Sequence, residues 1–280
     1  MIDSQKTLVA YLDILGYKDI ISKESPKDFY DSIKNVFEGV QILRDSVQPN
    51  KVESNAEREQ QCTANLLKTI KYKILSDVII IYWDYNDIER VNNQYYEEID
   101  HDYSATVLFF DMVSTFVLQF IKVTGFLLRG GVCLGKFHSN TFDSCLLNGE
   151  LIFSEAFVRA YELEQSANHP RILVDEPLYD LWKTKVESLS VHKSKTIVQV
   201  SRDRDGELYL DIYKILNDSP KDLKKGALSP IIKQINDMLV SKKNDTRAWN
   251  KWYWFKEFHN EKIRYFAKSE NQDLDELLIN

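Results

Sequence analysis

Cysteine is scarce in this chain: three residues in 280, at Cys62, Cys133 and Cys145. Their spacing matches no zinc pattern and an odd number builds no disulfide framework, so the sequence predicts a protein of the reducing cytoplasm. Basic charge is also short, with 36 Lys and Arg against 43 Asp and Glu and a formal net charge of -7. A protein that grips nucleic acid through its phosphates usually shows a basic face, so this balance argues against a nucleic-acid partner. The opening residues Met1 to Lys6 lack the basic segment of a signal peptide. The longest apolar stretch, Ala105 to Leu128, is interrupted by Asp111, Ser114, Gln119 and Lys122. It predicts a core helix followed by a strand, and no direct membrane association. Internal repeats and low-complexity tracts are missing. The histidines His101, His138, His169, His192 and His259 are scattered, none beside a Ser or Cys nucleophile motif, so a catalytic triad is not supported.

What remains is 44% hydrophobic and 28% charged, the balance of an ordinary soluble globular protein. The length suits one large domain, or a core of roughly 200 residues with an extension. Two aspartates stand out, each where an apolar strand meets a turn. Asp13 lies in Leu8-Val9-Ala10-Tyr11-Leu12-Asp13-Ile14-Leu15-Gly16-Tyr17, and Asp77 in Lys73-Ile74-Leu75-Ser76-Asp77-Val78-Ile79. A carboxylate within such a strand is costly to bury unless a cation or donors compensate it. Two of them on adjacent strands make a site for a hard divalent metal. With a glycine turn beside them, that is equipment for handling a triphosphate. The plainer alternative is a pair of strand-end aspartates capping their own turns.

Periodicity predicts strand one at 7–13, a turn at Leu15-Gly16-Tyr17, and a helix continuing over 26–37. Residues 45–66 read as a loop or weak helix. Strands follow at 70–75 and 78–83, then a surface linker over 84–103 and a long helix over 105–123. A strand at 126–135 carries Arg129 and the pair Gly130-Gly131, glycines that predict a close approach. Ser154 is an N-cap candidate for a helix to about Ala167, followed by a strand at 171–174 and a helix opened by Pro177. A hairpin is predicted with strands over 196–200 and 208–215. Beyond Pro220 the chain reads as helical, and the spacing of Trp249, Trp252, Phe255 and Phe258 predicts a packing face. The fold class is α+β: the first part, β-α-β-β-α-β, is the ferredoxin-like split arrangement, which puts strands one and three side by side. The domain reading is a catalytic unit over 1–216 and a helical extension over 217–280.

Four motifs then resemble a family. Tyr11 to Tyr17 resembles the first metal motif of class III nucleotidyl cyclases, and Lys73 to Asp77 their second metal hairpin. Leu128 to Gly135 resembles their arginine-bearing strand. Ser154 to Glu164 with Pro170 to Val174 resembles the helix and strand after their active site. The wording LDILG, LSD, RGG and AYELE is closest to the pyrimidine cyclases of bacterial Pycsar anti-phage systems. The resemblance implies conversion of UTP or CTP to a 3′,5′-cyclic monophosphate and pyrophosphate, with cUMP the leaning. It implies a homodimer with sites at the interface, and a separate effector that senses the cyclic product. Asp13, Asp77 and the Ile14 backbone would hold two Mn2+ or Mg2+ ions, and Arg129 would neutralise phosphate charge. Ile14, Leu15, Gly16 and Tyr17 would turn backbone N–H groups to the triphosphate, and Lys73, with Tyr72 a second candidate, would contact the base.

The departures matter equally. Where purine cyclases carry an adenine-reading aspartate, the position here is near Leu151. Where they carry an asparagine and an arginine on the following helix, Val158 and Glu162 stand. The missing arginine has one candidate substitute in Arg159, which points about 100° away by helix geometry; Arg171 and Lys195 are no better supported. A smaller base fits these losses. A catalytically silent nucleotide-binding domain and a purine cyclase are the alternatives.

Overall fold

The computed structural model describes residues 5–23, 25–45, 55–92, 94, 101–143, 148–189, 200–217 and 219–279. Strand β1 (Gln5–Ile14) is flanked by β3 (Val78–Asp84) and β4 (Leu128–Asp143), antiparallel to both. The edge strand β2 (Lys71–Leu75) joins β3 through a two-residue turn. Beyond β4 lie β6 (Ile172–Val174), β8 (Leu208–Leu210) and β7 (Val200–Arg202), while β5 (Asn148–Ser154) pairs with the far half of β4. The order β2-β3-β1-β4 is the ferredoxin-like arrangement that the sequence predicts, with β6 added parallel to β4.

Nine helices complete the described chain: α1 (Tyr17–Lys23), α2 (Pro26–Asp45), α3 (Asn55–Lys68), α4 (Tyr85–Asn92), α5 (His101–Thr124), α6 (Glu155–Ser166), α7 (Glu176–Leu189), α8 (Lys221–Ser241) and α9 (Thr246–Glu270). Alternation along β1 sorts its side chains. Leu8, Ala10, Leu12 and Ile14 enter a large core with Phe109, Val113, Phe116 and Phe120 of α5. Val9 and Tyr11 enter a smaller core with Ala156 and Ala160 of α6. The apolar stretch Ala105–Thr124 is long and apolar enough to cross a membrane, yet its aromatic face is the floor of the large core.

Helix α6 begins as expected, with the Ser154 hydroxyl accepting from Phe157 N at 2.9 Å. Its close approach to the sheet explains one predicted glycine. A Cβ on Gly131 would lie 2.4 Å from the Ala160 carbonyl oxygen. A Cβ on Gly130 would meet the Tyr11 carbonyl oxygen instead, at 2.3 Å. What approaches the Gly-Gly pair is the protein's own backbone.

Several boundaries differ from the sequence reading. The segment read as a loop or weak helix holds α3 from Asn55, and the surface linker holds α4. Strand β5 had no separate signal. The second hairpin strand stops at Leu210, because Asp211 caps a 3-10 turn over Ile212–Leu216 by accepting from Tyr213 N. The segment 196–199 lies outside the described residues.

The C-terminal helices share the large core. Leu228, Ile231 and Ile235 of α8 and Trp252, Phe255, Ile263 and Phe266 of α9 belong to the same buried cluster as α5. Position 216 therefore marks a change in secondary structure within one continuous core.

Candidate active site

Asp13 closes β1 opposite Val78 on one side and Arg129 on the other. By the alternation of β1 its side chain shares the α6 face with Tyr11. Asp77 follows Ser76 in the β2–β3 turn, and Ser76 takes a left-handed φ of 58°. That conformation costs a non-glycine residue roughly 1 kcal/mol. It is held by a tie across the site: Ile14 N donates to the Asp77 carbonyl oxygen at 2.8 Å. The two aspartates predicted to meet are thus brought to one end of adjacent strands.

Arg129 stands between carboxylates. Its guanidinium lies 3.5 Å from Asp13 and in direct contact with Glu164 of α6, and it donates to the Ala167 carbonyl at the end of that helix at 3.3 Å. A cation there also complements the helix dipole. Glu164 is buried, and its Oε1 meets Arg129 as an ion pair without hydrogen-bond alignment. The sequence reading did not single out Glu164; the signal was its i,i+4 spacing from Ala160, which puts both on the buried face of α6.

Burial, then Glu164, push the Asp13 carboxyl up to about 6, against the pull of Arg129, and Asp77 adds to the push. The phenol of Tyr11 rises to about 12 for the same reasons, burial first and then Glu164 and Asp13. This corner therefore carries excess negative charge. Lys251 of α9 feels both Arg129 and Asp13; burial, Arg129 and Arg247 hold its ammonium below the ordinary lysine range.

Two hard carboxylates under mutual repulsion fit a divalent cation. Among the described residues no group of three or more His, Cys, Asp and Glu side chains is set to hold a metal. Asp13 and Asp77, with the Ile14 carbonyl, would leave the other ligand positions to phosphate oxygens and water, which suits Mg2+ or Mn2+.

The remaining predicted residues divide. Gly16 has a φ of 85° with nothing near its missing side chain, so the turn is open. The N–H groups of Ile14 and Leu15 are already engaged, Leu15 N donating to Leu127 at 2.9 Å. The expected four-residue phosphate cradle narrows to Gly16 and Tyr17. Lys73 shares the Asp13 face and lies 5.5 Å from the ring centre of Tyr82. Tyr72 turns to the other face, stacked on Phe37 at 3.9 Å beside an apolar cavity of about 200 Å³. The structure does not bring it to Asp13. Arg159 is held by Asp175, and Arg171 by Asp203 and Asp205. Both are tied away from the aspartate pair. Lys195 lies outside the described residues. Val158 is exposed on the outer face of α6, as is Glu162 one turn on.

No family model matches the sequence, and no curated protein does. Among the solved structures that resemble it are nucleotide cyclases. The adenylyl cyclase CyaB from P. aeruginosa is 12% identical, with a TM-score of 0.44 over 74% of this chain and 94% of that one. The guanylate cyclase domain of RhGC from Catenaria anguillulae, in complex with GTP, is 13% identical, with a TM-score of 0.40 and coverage of 74% and 94%. A bacterial light-regulated adenylyl cyclase is 10% identical, with a TM-score of 0.38 and coverage of 82% and 98%. Likenesses this remote say nothing of activity, and the functional reading rests on the site itself.

Proposed function

We propose that this chain is a nucleotide cyclase acting on a pyrimidine nucleoside triphosphate, UTP before CTP. The observation that carries the reading is the convergence of Asp13, Asp77 and Arg129 at one end of β1, β3 and β4. In the reaction the ribose 3′-oxygen bonds to the α-phosphorus, the bond to the bridging α–β oxygen breaks, the hydroxyl proton departs and pyrophosphate leaves. A pair of divalent cations held by Asp13, Asp77 and the Ile14 carbonyl would supply Lewis acidity to the hydroxyl and the phosphates. Arg129, held in place by Glu164, exchanges its contact with Asp13 for a phosphate oxygen, offering a permanent charge. Gly16 admits the triphosphate close to the backbone, and Lys73 reads the base edge from the same sheet face.

Leu151, Val158 and Glu162, standing where purine cyclases carry their base-reading and transition-state groups, support the smaller base. A homodimer is supported by exposed apolar side chains: Leu75 at the hairpin beside the site, Val158 and Tyr161 on α6, and Phe153 on β5 at the far end of β4. The buried thiols of Cys62 and Cys133 suit a reducing cytoplasm. The cyclic product would act as a messenger read by a separate effector in anti-phage defence.

A second reading has its own observation. Glu162 replaces an arginine, and Arg159 is already paired with Asp175, so a domain that binds the nucleotide without turning it over is the alternative. Purified protein with Mn2+ and each of ATP, GTP, CTP and UTP, followed by mass spectrometry, separates the two. A cyclic pyrimidine monophosphate is expected. Tight nucleotide binding with unchanged triphosphate would favour the silent domain, and a cyclic purine product would overturn the base assignment.

A further inference from the structure

The C-terminal helices reach the candidate active site. A cleft of about 530 Å³ opens where the turn after Asp13 faces the junction of α8 and α9. Leu15, Gly16 and Lys18 line one wall, and Lys242, Arg247 and Lys251 the other. Its volume falls within the roughly 300–1,000 Å³ usual for small-ligand sites. Four of its side chains are cationic, in a protein whose net charge is -7. Among the described residues its only acidic side chain, Asp245, is engaged as the N-cap of α9 and accepts from Ala248 N at 3.0 Å. Lys18, Arg247 and Lys251 form no ion pair with any described residue. Unpaired like charges around one cavity repel each other, and a polyanion relieves that repulsion. Leu15 and Gly16 of its wall follow closely on Asp13 in the chain, so the cleft adjoins the end of β1 that carries that carboxylate, and the half-buried Lys251 lies within electrostatic reach of Asp13 and Arg129.

We infer that this cleft is the seat of the nucleotide's β- and γ-phosphates, and that α9 supplies their cations through Arg247 and Lys251. The inference rests on the proposed cyclase reading for the identity of the ligand. The α-phosphate lies at Asp13 and Arg129, and the tail runs past Gly16 into the space between the sheet and the extension. The extension then has a task that packing alone does not give it: it completes the substrate site from within the same chain.

Isothermal titration of the full-length protein tests this with two probes, inorganic tripolyphosphate and UTP. Wild type is expected to bind both, and R247A with K251A to weaken both about tenfold for each cation removed, the scale of a charge-assisted hydrogen bond. K243A, on the exposed turn between α8 and α9, is the control and keeps wild-type affinity. Should the double variant not fold, R247Q alone removes an exposed charge and is expected to weaken both probes about tenfold. Unchanged affinity in the charge-removing variants, or no tripolyphosphate binding by wild type, overturns the inference. Loss of tripolyphosphate binding with UTP affinity unchanged would overturn the substrate-tail assignment. Tripolyphosphate binding does not require turnover, so the cleft is tested even in a protein that cyclises no nucleotide.

Discussion

The Asp13 carboxyl is pushed up to about 6 by burial and by Glu164, more than Arg129 pulls it down. A folded-state value above the unfolded one means that the folded chain holds this proton more tightly. Ionisation therefore costs stability as pH rises from about 4 to about 6. A shift of that size corresponds to roughly 2–3 kcal/mol. Asp13→Asn is expected to raise the unfolding midpoint of the metal-free protein at pH 8 and to leave it nearly unchanged at pH 4, read by scanning fluorimetry. Mn2+ should stabilise wild type more at pH 8 than at pH 5, because the ligand must be deprotonated, and the difference should vanish in Asp13→Asn. Equal Mn2+ effects in the two proteins would remove Asp13 from the metal site. Both aspartates were legible in the sequence, since a charge in an apolar strand is conspicuous. Glu164 was not, because a glutamate on a helix is ordinary until its neighbours are known. Tyr72 was a second base-contact candidate on the resemblance alone, and a period-two strand sends it and Lys73 to opposite faces.

Helix α6 and strand β4 form a unit whose spacing is set by Gly131. A Cβ there would lie 2.4 Å from the Ala160 carbonyl oxygen and 2.5 Å from Leu163 Cβ, contacts that only a shift of the helix relieves. Gly131→Val is expected to lose about 1–3 kcal/mol in urea unfolding, the usual cost of overpacking. It also displaces Glu164 from Arg129, so kcat should fall further than the stability loss alone explains. A fully active Gly131→Val would show that α6 does not position Arg129. On α9, His259 is buried, with the Tyr213 hydroxyl donating to Nδ1 at 2.8 Å and Nε2–H donating to Leu277 O at 2.7 Å. Burial lowers its pKa to about 4. The unfolded chain binds this proton first, so the contribution is complete above about pH 6.5 and is lost as pH falls to about 4. His259→Gln should flatten the acid limb of stability in that window. Long, strongly patterned elements such as α5 and β1 were readable from periodicity. Strand β5 and helices α3 and α4 were not, because polar sequence leaves the choice to tertiary partners.

At the scale of the molecule, one core runs from the sheet through α5 to the last helices. Trp252, Phe255, Ile263 and Phe266 are buried in the same cluster as Phe116 and Phe120. A chain cut after residue 216 would expose the α5 side of that core. It should show weak near-ultraviolet dichroism and strong dye binding, where a self-sufficient catalytic domain would keep native packing. The aromatic spacing of α9 made its packing role legible from sequence, but the partner face on α5 was not, since contacts between residues so far apart leave no local pattern. The central claim is that the Asp13–Asp77 corner cyclises a nucleoside triphosphate, and phosphorus NMR of the protein with Mg2+ and UTP tests it most directly. The account predicts pyrophosphate and one cyclic phosphodiester in equal amounts, both absent with Asp13→Asn. Release of inorganic phosphate with a nucleoside diphosphate, or unchanged turnover by Asp13→Asn, would contradict it.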